Sequence, residues 1–149
     1  MREALRLARE SIDSGGGPFG AVVVRGDDIV GRGRNRVVES QDPTAHAEVL
    51  AIRDAARTLG THDLADCTIY TSCEPCPMCL AAIYWARLGQ VVYGALRTDA
   101  AAVGFDDELI YEEIALPPEK RKVAFEREGQ AEALEVLEAW KRKPDRLEY

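Results

Sequence analysis

No stretch of this 149-residue chain is long and apolar enough to cross a bilayer. Met1 to Ser14 is charged throughout and lacks the apolar run of a signal peptide, so a cytoplasmic location is the expectation. Positive charge is in deficit: 19 Lys+Arg stand against 26 Asp+Glu, a net charge of -7. Nucleic-acid binders ordinarily show a basic footprint, so this balance argues against a broad phosphate-binding surface, though not against a local basic patch. Internal repeats, low-complexity stretches and linkers are all missing, which leaves a single domain over residues 1–149, long enough to bury a core. Cysteines number only 4. Cys73, Cys76 and Cys79 fall within one short segment, and without an export signal that clustering points to metal binding and not to disulfides.

Local patterns give alternating strands and helices. Leu5, Ala8 and Ile12 recur at helical spacing and predict an amphipathic helix over 2–14, ended by Ser14-Gly15-Gly16-Gly17-Pro18. Phe19 to Arg25 and Ile29 to Arg34 flank a Gly-Asp turn and read as a hairpin. Ala45 to Leu59 is the clearest helix, with Val49, Ile52, Ala56 and Leu59 on its predicted inner face and Gly60 as its stop. A short strand over 67–71, a buried helix over 77–88 and a strand over 90–94 follow. A short helix over 98–102 precedes the Gly104-Phe105-Asp106-Asp107 break. A weak last strand is expected over 122–125, then a helix marked by Ala131, Leu134, Leu137 and Trp140. This alternation predicts an α/β layered sheet.

The chemistry lies in His46-Ala47-Glu48 and Pro75-Cys76-Pro77-Met78-Cys79. Together they read H-x-E … P-C-x-x-C, the signature of zinc deaminases that act on bases. One imidazole and two thiolates make three ligands, and the vacant fourth position is what separates a catalytic zinc from a structural one. His46, Cys76 and Cys79 are therefore the expected zinc ligands. Both helix starts expose N–H groups and a positive dipole end, which favour thiolate. Glu48 lies two residues beyond His46 and diverges from it by roughly 200° on a helix, so it serves as proton carrier and not as a ligand. It would take a proton from water, pass it to a ring nitrogen, and protonate the departing amine. A structural zinc would need a fourth ligand, for which His62 and Cys73 are the nearest spares. A redox C-x-x-C leaves the His-Ala-Glu segment unexplained. Cys67 reads as a small buried apolar residue.

The sequence resembles the cytidine-deaminase-like superfamily along nearly its whole length. The resemblance runs through Gly17-Pro18-Phe19-Gly20-Ala21, Asp42 to Glu48, Tyr70 to Cys79 and Ala82 to Arg87. Thr98-Asp99-Ala100-Ala101, Gly104-Phe105-Asp106-Asp107 and Glu148-Tyr149 are similar to its guanine-deaminating branch. The resemblance implies a three-layer α/β/α sandwich around a five-stranded mixed sheet, and a homodimer that exchanges its C-terminal segment. It implies hydrolysis of guanine to xanthine and ammonia. Asn35 and the Ala47 backbone would hold the purine, Asp107 would meet its polar edge, Trp85 and Phe19 would wall the pocket, and Tyr149 of one subunit would cover the site of the other. A carboxylate suits the N–H donors of the guanine N1/N2 edge, and Asp106 is a rival for that role. Adenosine deamination in tRNA shares the zinc motif but calls for a basic surface, and another nucleobase or nucleoside is the other alternative substrate. A zinc-stabilised binding module without catalysis would survive loss of Glu48.

Overall fold

A computed structural model describes residues 1–147. The chain divides into two compact units, Met1–Asp107 and Glu108–Tyr149. In the first, β1 (Gly20–Arg25), β2 (Asp28–Arg34), β3 (Cys67–Cys73) and β4 (Gln90–Ala95) form one mixed sheet in the order β2-β1-β3-β4. β1 runs antiparallel to β2 and to β3, whereas β3 and β4 are parallel. The expected hairpin is present: Arg25 pairs with Asp28 across Gly26-Asp27, and Gly26 takes the positive φ of 61° that the tight turn requires.

One face of the sheet carries α1 (Arg2–Asp13), packed through Ala4, Leu7 and Val22. The other carries α3 (Ala47–Leu59) and α4 (Pro77–Trp85), closed over Ala21, Val23, Ile69, Leu64 and Ile83. Within this unit the three layers are as expected. The sheet has four strands and not five. The segment predicted as the last strand is irregular. The Lys122 N–H donates to Glu113 Oε2 at 2.7 Å, and Arg121 Nε donates to the Glu113 and Leu116 carbonyls, so this stretch pairs with a preceding helix end instead of a strand.

The helix faces also differ from the hydropathy pattern. α1 buries Ala4, Leu7, Ala8 and Ser11, while Leu5 and Ile12 are exposed. α3 buries Ala47, Glu48, Ala51 and Ala55, with Ile52 and Leu59 at the margin. The cause is close approach. A Cβ at Gly20 would lie 2.2 Å from the Ala4 carbonyl, one at Gly31 2.3 Å from the Ala51 carbonyl, and one at Gly33 2.0 Å from the Ala47 carbonyl. Glycine on the strands and alanine on the helices bring the backbones together, and larger side chains turn to the margins. Between β2 and α3 lies a one-turn helix, α2 (Val37–Ser40), and after β4 comes α5 (Arg97–Ala102).

The second unit, considered alone, contains α6 (Glu108–Ala115), a 3-10 turn over Pro118–Lys120 and α7 (Gln130–Arg142). The Arg121 guanidinium lies 4.9 Å from the centre of the Phe125 ring. Neither α6 nor α7 has a buried residue.

Candidate metal centre and active site

The antiparallel pairings place the start of β1 and the ends of β2 and β3 on one rim of the sheet. Phe19, Asn35 and the Cys73–Cys76 loop meet there. α3 begins at the same rim, because Gly33 admits the Ala47 carbonyl. His46 is the residue that starts α3, with extended φ/ψ of -70° and 152°, and Cys76 starts α4 in the same way at -64° and 168°. Pro77 follows as the first helical residue, where no N–H is needed.

Both Sγ atoms, of Cys76 and Cys79, lie 3.5 Å from His46 Nδ1. A tetrahedral cation at about 2.3 Å from sulfur and about 2.0–2.1 Å from nitrogen separates S and N by roughly 3.5 Å. Both nitrogen–sulfur separations therefore match a zinc-sized tetrahedral ion, and all three donor atoms lie within 4.8 Å of one another. Among the described residues they form the one set of three such donors gathered closely enough for a cation. Cys73 turns away, its thiol donating to the Leu96 carbonyl at 3.5 Å. Cys67 is buried in the core, as its reading as a small apolar residue required.

The electrostatics suit a cation. The Cys76 thiol is pulled down to about 4, first by a hydrogen bond from Cys79 and then by one from His46. That same bond, with burial, pushes Cys79 up. Hydrogen bonding to Cys76 raises His46. Glu48, on the first turn of α3, is 7% exposed. Burial pushes its carboxyl above the usual carboxylate range, and the charge on Cys76 adds to this. It lies beside the donors but outside their set.

The remaining expected residues fall into three groups. Asn35 is buried, with Oδ1 accepting the Gly17 and Val37 N–H groups, each at 3.4 Å. Ala47 is fully buried as the first helical residue of α3. Phe19 packs against Phe105 edge-to-face, ring centres 4.9 Å apart, and half-buried Asp107 is raised by burial and by the Cys76 charge. Trp85 ends α4 and is 68% exposed, roughly 13 Å along the helix from Cys76. Tyr149 lies outside the described residues.

Several residues inside the Tyr70–Cys79 segment support the site in ways that their motif does not spell out. Glu74 accepts the Arg97 N–H through Oε2 at 3.0 Å and donates its own N–H to the Ala95 carbonyl, tying the cysteine loop to the start of α5. Ser72 Oγ accepts the Gly20 N–H at 3.1 Å, and Thr71 Oγ1 donates to the Cys73 carbonyl at 2.6 Å. Their partners are distant in sequence or backbone atoms, so only buried hydroxyls in a β-branched strand hint at them.

Residues 1–95 match the family model of the cytidine and deoxycytidylate deaminase zinc-binding region. Guanine deaminase of Bacillus subtilis is 51% identical, covering 100% of this chain and 96% of that protein. The X-ray structure of guanine deaminase from Bacillus subtilis superposes with a TM-score of 0.95 at 52% identity, covering 99% of this chain and 95% of that one. A tRNA-specific adenosine deaminase of Aquifex aeolicus is 42% identical over 64% of each chain. That match is partial, whereas the guanine deaminase match runs from end to end. The chain thus belongs to the cytidine and deoxycytidylate deaminase zinc-binding family and, within it, to the bacterial guanine deaminases.

Proposed function

We propose that this protein hydrolyses guanine to xanthine and ammonia with zinc held by His46, Cys76 and Cys79. The observation that carries the reading is a buried carboxyl, Glu48, beside three donors spaced for a tetrahedral ion and not counted among them. When bound, zinc supplies Lewis-acid activation of water at neutral pH. Glu48 would take one proton from the attacking water and deliver it to a ring nitrogen of guanine as the water oxygen bonds to C2. It would then carry the remaining proton of that oxygen to the amine as the C2–N bond breaks and the C2 carbonyl forms, so one carboxyl serves as base and acid. Burial raises the proton affinity of the carboxyl above the usual range, which suits a group that must both accept and release a proton.

Asn35 and the Ala47 N–H hold the purine, Asp107 accepts from the N1/N2 edge, and Phe19 and Trp85 wall the pocket. The Asn35 Oδ1 bonds direct its amide so that the NH2 is the end left for a ligand. A second copy of the chain completes the assembly by exchange of the C-terminal segment, with Tyr149 covering the partner's site. The unburied α6 and α7, which expose Leu109, Ile110, Ile114, Leu134, Leu137 and Trp140, support this reading. The cytoplasm is the expected compartment.

Purified protein given guanine should release ammonia and xanthine in equal amounts. Glu48→Gln should lower kcat by roughly 10²-fold or more while zinc content by elemental analysis stays the same. A variant that keeps turnover would remove Glu48 from the reaction. Wild-type protein inert toward guanine but active on tRNA adenosine would overturn the substrate.

A further inference from the structure

We propose that Ser11, a residue of α1 outside every deaminase motif, is a positioning residue for purine recognition that acts through Asn35. The inference rests on the reading of Asn35 as a purine contact.

Ser11 is fully buried on the inner face of α1, among Ala4, Leu7 and Ala8. A hydroxyl buried there needs a partner. Its Oγ donates to the backbone carbonyl of Asn35 at 2.9 Å, bridging 24 residues. Asn35 is the first residue after β2, where the sheet no longer fixes the chain. Its N–H donates to the Phe19 carbonyl at 2.9 Å, and its Oδ1 takes the Gly17 and Val37 N–H groups. Carbonyl, N–H and Oδ1 are thus all held by the protein. Among the described residues no partner holds the side-chain NH2, so that group is aimed by the other three.

The bond is also walled in. The Gly16 N–H donates to the Ser11 carbonyl at 2.8 Å, and a Cβ at Gly16 would stand 2.6 Å from Ser11 Oγ and 2.9 Å from the Asn35 carbonyl. The 16–17 turn folds directly over the contact and presents the Gly17 N–H to Asn35 Oδ1. Ser11 therefore holds both the backbone of Asn35 and, through the turn, its amide. The zinc donors and Glu48 sit on α3 and α4, with no bond to Ser11. Loss of the hydroxyl should loosen purine binding and spare the chemical step.

The test measures KM and kcat for guanine in the zinc-loaded, full-length protein for Ser11→Ala, Asn35→Ala and the double variant, alongside melting temperature and zinc content. Ser11→Ala should raise KM roughly tenfold, the loss of one well-placed hydrogen bond. It should leave kcat within about twofold and zinc unchanged. In the Asn35→Ala background it should add nothing. Leu7→Ala, a buried neighbour on the same face, should lower the melting temperature without moving KM. Should Ser11→Ala not fold, Ser11→Cys and Gly16→Ala perturb the same bond and should each raise KM. Asn35→Ala raising KM while the Ser11 and Gly16 variants alter only melting temperature would reduce Ser11 to a structural residue. An unchanged KM for Asn35→Ala would instead sink the reading of Asn35, and this inference with it.

Discussion

His46 and Cys76 occupy the same kind of position: each is the last extended residue before a helix. That shared geometry points the first-turn N–H groups and side chains of α3 and α4 toward one spot, and the turn leading into His46 is itself braced. The Asp42 carboxylate accepts the Thr44 N–H at 2.8 Å and its hydroxyl at 2.7 Å. These bonds hold its carboxyl below the usual range. A depressed folded-state value stabilises above the unfolded value of about 3.9 and is lost as pH falls through the folded one. Asp42→Asn should therefore melt below wild type at pH 7, and the gap should close as melts are repeated from pH 5 down to pH 3. A gap independent of pH would mean that the carboxylate bonds are not its source. The ligands and Glu48 were legible because residue type and spacing encode them locally. Ser11 and Glu74 were not, since a side chain bonded to a distant backbone atom leaves no trace of its partner in sequence.

At the scale of elements, hydropathy located most helices and strands but misassigned which sides face inward. Hydropathy favours large apolar residues such as Leu5, Ile12 and Val49, whereas the buried faces are built largely of alanine set against strand glycine. Small residues score weakly on hydropathy yet permit the tightest packing. The last strand failed for a different reason: a charged segment found local polar partners on a helix end. The short α2 and the acidic α6 were missed because neither carries a periodic stripe long enough to count. Because Ala47 sits between His46 and Glu48, its contact with Gly33 predicts coupling between packing and metal. Gly33→Ala should cost about 1–3 kcal/mol, read from the urea midpoint, and lower zinc occupancy. Gly26→Ala, at a positive-φ turn away from the site, should lose stability with zinc retained. Equal zinc content in the two variants would disprove the coupling.

For the whole molecule, the proposed exchange of C-terminal segments predicts association. α7 exposes Leu134, Leu137 and Trp140, and α6 exposes Leu109, Ile110 and Ile114. Sedimentation should show a dimer at micromolar concentration. Leu137→Asp should shift it toward monomer and leave the melting of residues 1–107 little changed, and a wild-type monomer would refute the exchange. That pairing was legible only through resemblance, because composition and periodicity do not reveal a partner. The metal centre has a further consequence for the chain as a polymer. His46 and Cys76 stand 30 residues apart, and α3 and β3 lie between them. An ion joining the two clips that stretch into a closed ring, much as a reversible crosslink would, and narrows the unfolded ensemble accordingly. Chelation should then speed amide deuterium uptake first at the opening turns of α3 and α4, while the β1–β2 hairpin keeps its protection.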